Sequence, residues 1–188
     1  METSGMKVMA AEFSEMLNEM IDLHDFERFI RYLSVNGNKR ILHIPDEEGA
    51  YLLHDVAAEF CGEHKGGFVK AALVLGAEVN VRDRQGKTPL MYASECGCAE
   101  NVRVLLAREA RVTDQDKQGW SALHYAVREE ECQVIKLLLE KGADMFARNK
   151  EGRTPVHLAA ACENPMILQL LIGCCPEADI EQNKIYFL

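Results

Sequence analysis

The residues EGRTPVHLAA at 151–160 occur twice more upstream, as QGKTPLMYAS from Gln85 and QGWSALHYAV from Gln118, so Gly86, Gly119 and Gly152 fall at a fixed interval of 33 residues. A looser copy, EGAYLLHDVA, sets Gly49 37 residues before Gly86, and the four extra residues fit in the turn FCGEHKGG at 60–67. Such a period restricts a chain more than composition does. Each unit cannot bury its apolar face alone and has to stack on a neighbour. An apolar run follows every copy: FVKAALVLGAEVN, NVRVLLAREARVT, QVIKLLLEKGADMF and MILQLLIGCCPEADI. Two short helices per unit are therefore predicted.

The recurring residues have separable physical roles. Thr88, Ser121 and Thr154 stand where a side-chain oxygen satisfies an orphan backbone N–H at a helix start, and Pro89 and Pro155 take the first helical position, where a missing N–H costs nothing. The glycines lie in the preceding turn, where φ is expected to be positive. Ala93, Ala126 and Ala159 are small because neighbouring helices approach closely at that position. His54, His124 and His157 share one repeat position, with Met91 in the remaining unit, and a catalytic residue would neither need such copies nor tolerate methionine in one of them.

The period and the pattern Gly-x-Thr-Pro-Leu-His-x-Ala resemble the ankyrin repeat. The resemblance covers about residues 45–181 and implies an all-α ankyrin-repeat solenoid, built of paired antiparallel helices with β-turn or hairpin loops. It divides the chain into a disordered N-terminus (1–5), a divergent capping repeat (6–44), a repeat with a turn insertion (45–82) and three further repeats (83–115, 116–148, 149–181). Residues 182–188 remain as a tail or a truncated next unit. In the capping repeat, FSEMLNEMIDL and DFERFIRYLSVNG show helical apolar spacing, the alternative to a cap being a Met-rich helix that docks on a partner. The resemblance also implies that the recurring histidine hydrogen-bonds backbone across the hairpin and helix start.

Two departures from the pattern are informative. Glu109 stands where Gly76 and Gly142 end their helices, a position that turns left-handed and favours glycine. Near the C-terminus, Asn164-Pro165 provides an N-cap and first residue for the last helix, whereas GCCPEAD lengthens the loop that follows.

Composition bounds the function. Thirty acidic against 21 basic residues give a net charge of −9, which argues against nucleic acid and anionic membranes as partners. The first residues lack a secretory signal pattern and no apolar run approaches the roughly 18 residues of a membrane span, so a cytoplasmic or nuclear location is expected. Seven cysteines without a Cys-x-x-Cys pair read as reduced thiols, with Cys96 and Cys162 at exposed helix ends. Cys61 and His64 provide two potential ligands where a structural zinc takes four. Phosphate-binding loops and the common hydrolase motifs are absent, so no catalytic residue, cofactor or metal is expected.

In ankyrin proteins partners bind along hairpin tips and the inner faces of the first helices, which together form a groove. Carried onto this chain, the resemblance points to Arg84, Lys87, Lys117, Trp120, Arg128, Arg148, Lys150 and Arg153 as the partner-binding set. Most charged tips are basic, and Trp120 stands at a tip between Gly119 and Ser121, as a partly exposed aromatic anchor. The expected partner is another protein or peptide, acidic or phosphorylated. The alternatives are a stoichiometric regulator of a signalling enzyme or transcription factor and the recognition part of a larger chain, such as a ubiquitin-ligase adaptor. Oligomeric state is not readable.

Overall fold

The computed structural model describes residues 26–35, 38–58, 66–162 and 164–173. The expected disordered N-terminus, the FSEMLNEMIDL pattern, most of the FCGEHKGG turn, Cys174 and Cys175, and the tail at 182–188 lie outside the described residues. Nine α-helices are described: α1 (Phe26–Ser34), α2 (Leu52–Ala58), α3 (Gly67–Val74), α4 (Pro89–Glu95), α5 (Ala99–Ala107), α6 (Ala122–Arg128), α7 (Cys132–Glu140), α8 (Pro155–Ala161) and α9 (Pro165–Gly173). A 3₁₀ helix spans Asn38–His43. Among the described residues the β pairing amounts to one antiparallel bridge between Gln115 and Ser121.

The helices form two rows. In the front row α4 packs on α2 and α6, and α6 on α8; in the back row α5 packs on α3 and α7, and α9 on α7. Equivalent positions build continuous columns through the stack. Ala72, Leu105, Leu138 and Leu171 are each fully buried in the back row, and Leu53, Leu90, Leu123 and Val156 form the matching buried column in the front row. Each buried leucine or valine of these columns stabilises by roughly 1.5–3 kcal/mol, so the period in sequence becomes one elongated core. At the N-terminal end α1 packs on α3, with Phe26 and Phe29 edge-to-face against Phe68 at 5.4 and 5.0 Å. The 3₁₀ helix closes on α1 and α2 and buries Leu42.

The helix starts follow the sequence reading. The hydroxyls of Thr88, Ser121 and Thr154 accept from the backbone N–H of Met91, His124 and His157, and Pro89 and Pro155 open their helices. Asn164 caps α9 through a bond from the Met166 N–H. Asn101, buried on α5, donates to the carbonyls of Val56 and Ala57 at the end of α2 and so ties one unit to the next.

The tip glycines are needed for a second reason besides their positive φ. A Cβ on Gly119 would lie 2.9 Å from the Asn149 Cα, and one on Gly86 3.2 Å from the Lys117 nitrogen, because the next tip rests directly on them. Gly152, on the last described tip, has nothing within 4 Å.

The expectation for the thiols is corrected at two positions. Cys98 is disulfide-bonded, whereas Cys132 and Cys162 are free thiols. The lack of a Cys-x-x-Cys pair excludes one spacing motif and does not report which thiols the fold brings together. Cys162 is half-buried, and its Sγ donates to the Val127 carbonyl at 3.6 Å; burial raises its pKa. It is not the exposed helix-end thiol that the sequence suggested.

Candidate partner-binding surface

Each hairpin tip is shaped by one side chain. The Oδ1 atoms of Asp46, Asp83, Asp116 and Asn149 each accept from two backbone N–H groups in the four residues that follow, at 2.8–3.0 Å. This folds the chain back on itself and turns the next residue outward, to solvent: Glu47, Arg84, Lys117 and Lys150 are all exposed. The tips are then bonded to one another. The N–H groups of Arg84, Lys117 and Lys150 donate to the carbonyls of Glu48, Gln85 and Gln118, at 3.2, 2.8 and 2.9 Å.

A second set of bonds runs beside the tips. Arg82 donates to the Gly86 and Gln115 carbonyls, and Gln115 in turn donates to the Gly119 and Arg148 carbonyls. Arg148 donates to the Gly152 carbonyl at 3.1 Å, so its guanidinium braces its own tip.

The recurring histidines form the third set. His54 Nδ1 accepts from the Tyr51 N–H and Nε2 donates to the Lys87 carbonyl in the next unit; His124 does the same with Ser121 and Arg153. An N–H can only donate and a carbonyl can only accept, so the proton sits on Nε2 and the ring is neutral. Burial lowers the pKa of both rings, against smaller opposing effects of the backbone bonds and nearby carboxylates. His157 keeps the local bond to Thr154 but is exposed. His54 and His124 thus bond backbone across to the next unit, as the family resemblance implied, and among the described residues His157 does not.

The eight candidate residues do not form one uniform surface. Lys87 is buried at 9% exposure, which overturns its place among the exposed tips. Its ammonium lies 4.6 Å from the Tyr92 ring centroid and 4.4 Å from that of Tyr125, and it is ion-paired with Glu95. Its counterparts one residue after the tip glycine, Trp120 and Arg153, follow different courses. Trp120 is half-buried, its indole 5.7 Å from the His124 ring and 5.2 Å from that of Tyr125, with the Arg128 guanidinium 5.1 Å above it. Arg153 is exposed and pairs with Glu151 at 3.2 Å.

Arg128 at the end of α6 pairs with Glu95 at 2.6 Å and with Glu129 at 2.7 Å. Burial pushes the Glu95 carboxyl up, but the bonds from Lys87 and Arg128 together outweigh that and leave it below the usual carboxylate value. Lys87, Arg128, Glu95 and Glu129, with Tyr92, Tyr125 and Trp120, thus form one internally neutralised cluster on the front row. Sequence reasoning missed Tyr92 and Tyr125, although each stands nine residues after a tip aspartate, where the hydroxyls bond to Asp83 and Asp116. Burial raises the pKa of both tyrosines, and the bonds to the aspartates add to it. What is left for a partner is a column of exposed cations, Arg84, Lys117 and Lys150, none of which makes an ion pair among the described residues.

Among the described residues no group of three or more His, Cys, Asp or Glu side chains is placed to hold a metal, and no helix is long and apolar enough to cross a membrane. Comparison with protein families matches the chain to ankyrin repeats in three overlapping copies, over residues 10–116, 53–149 and 110–184. The chain belongs to the ankyrin-repeat family. Ankyrin repeats are generally protein–protein interaction modules and are typically non-enzymatic. A comparison with curated proteins finds no match.

Proposed function

We propose that this ankyrin-repeat chain is a non-enzymatic binding module that takes an acidic or phosphorylated segment of another protein along its tips, with Trp120 in the adjoining wall. The observation that carries this reading is the column of Arg84, Lys117 and Lys150, exposed on successive bonded tips and unpaired among the described residues, in a protein of net charge −9. Of the other candidate cations, Lys87, Arg128 and Arg153 are already paired with Glu95, Glu129 and Glu151, and Arg148 is engaged by the Gly152 carbonyl. Charge on the tips steers encounter, and the half-buried indole adds contact area that slows release.

The test is fluorescence anisotropy with a labelled peptide of aspartates spaced by glycine and serine, at low salt. Wild type binds, and the binding weakens as salt is raised. The triple variant Arg84→Ser/Lys117→Ser/Lys150→Ser loses about tenfold in affinity, since three exposed pairs at roughly 0.5 kcal/mol each amount to about 1.4 kcal/mol. Equal affinity of the triple variant and wild type overturns the reading.

A further inference from the structure

The outward position of the tips carries an ordered charge pattern. From the first described tip to the last, it reads Glu47, Arg84, Lys117, Lys150. All four are exposed, and the tips that bear them are joined in the same way by one backbone hydrogen bond each, so the four side chains occupy one column at one step per unit. Glu48, also exposed, adds to the negative charge at the first tip, while Gln85 and Gln118 stand beside Arg84 and Lys117 as neutral, exposed amides. The column therefore has a sign change at a defined place, between the first and second tips.

We infer that this column reads an extended peptide segment with one basic residue and three acidic residues at every third position. The inference rests on the acidic-segment reading above and fixes its register. Packed helices lie about 8–10 Å apart, which sets the step from tip to tip. An extended chain rises about 3.3 Å per residue, so three residues match one step. A cation then sits opposite Glu47 and the anions opposite Arg84, Lys117 and Lys150.

The amides of Gln85 and Gln118 favour an extended occupant over a helical one. Their side chains make no hydrogen bond among the described residues. An extended segment brings unpaired backbone N–H and C=O groups to them, whereas a helix has spent its own on itself. A helical ligand would also need six or seven residues per step, with its charges spread over roughly twenty residues.

The experiment uses labelled peptides of one composition, each holding one lysine and three aspartates among glycine and serine, with the charges at every second, every third or every fourth position. Each spacing is made with the lysine at either end, since chain direction is decided by the tighter of the two. The every-third-position peptide binds wild type about fivefold or more tighter than the other spacings. In the Glu47→Lys variant, replacing the peptide lysine by aspartate strengthens binding, where in wild type it weakens it. Equal affinity at all three spacings, or no change of preference in Glu47→Lys, overturns the register while leaving the acidic-segment reading in place. Failure of every peptide to bind wild type overturns both.

Discussion

Lys87, just before α4, donates to the Glu95 carboxylate at the other end of that helix, and its ammonium is held between the rings of Tyr92 and Tyr125. A charge buried in this way holds two units together, since Tyr125 belongs to the next one. Removing one member of a fully buried pair costs roughly 3–5 kcal/mol. Glu95 keeps Arg128 as a partner and its side chain is 29% exposed, so Lys87→Gln is expected to cost about 1–2 kcal/mol. Urea denaturation checks this, and affinity for the aspartate peptide should stay within about twofold once the variant is folded. Lys117→Ser should show the opposite behaviour: unchanged stability and weaker binding. A Lys87→Gln protein as stable as wild type would show that the ion pair contributes nothing net.

The tip carboxylates have a second use that lapses in the last described unit. Asp83 accepts from the Tyr92 hydroxyl at 3.0 Å and Asp116 from the Tyr125 hydroxyl at 2.6 Å, but the corresponding residues are Asn149 and Leu158. The Asn149 Nδ2 is buried without a hydrogen-bond partner. A double-mutant cycle with Asn149→Asp and Leu158→Tyr is expected to show a favourable coupling of about 1 kcal/mol, the worth of one restored hydrogen bond to a charged group. Purely additive single effects, measured by denaturation, would mean that the tyrosine does not reach the tip from α8.

The parts of this fold that were legible from sequence are those that depend on local chemistry. Thr88, Pro89 and Gly86 act within a few residues of one another, so their roles follow from backbone rules that hold anywhere, and the 33-residue period supplies the stacking. Lys87 was misplaced because its environment comes from Tyr125 in the next unit, which no local pattern reports. Arg148 is exposed at its tip as expected, and its guanidinium also braces the Gly152 carbonyl, a role signalled by the recurrence of a long donor at Arg82 and Gln115. Arg84, Lys117 and Lys150 were legible for the reason that Lys87 was not, since each directly follows the Asp or Asn that turns the tip and is exposed there.

Glu109 has φ of 64°, in the left-handed region that Gly76 and Gly142 occupy at the equivalent helix ends. A non-glycine residue there costs about 1–2 kcal/mol of steric strain, partly offset because glycine gains more freedom in the unfolded chain. The side chain is exposed, so little packing is lost on removing it. Glu109→Gly should stabilise the fold by about 0.5–1 kcal/mol. Glu130, with φ of 58°, has the same backbone problem where the earlier unit uses Gly97. Thermal or chemical denaturation showing a loss in Glu109→Gly would mean that its side chain contributes more than the strain costs.

His54 and His124 predict how the stack responds to acid. Both are fully buried, both donate from Nε2 to a carbonyl of the next unit, and both have pKa values held below the ordinary 6.5 by burial. Below that value the unfolded chain binds protons that the folded rings refuse, so the stability is full above the unfolded pKa and declines as pH falls from it toward the lowered folded values. The decline is at most about 1.4 kcal/mol per pH unit for each ring, the limit for one proton. Glu95, whose folded pKa is depressed from 4.5, contributes stability that is lost only at lower pH, so the two effects separate. Urea midpoints should therefore fall between about pH 7 and 5.5, and the fall should shrink in His124→Gln, which removes one of the two refused protons. A midpoint that does not move across this range would show that the rings accept protons in place, breaking the bond pattern that assigns hydrogen to Nε2.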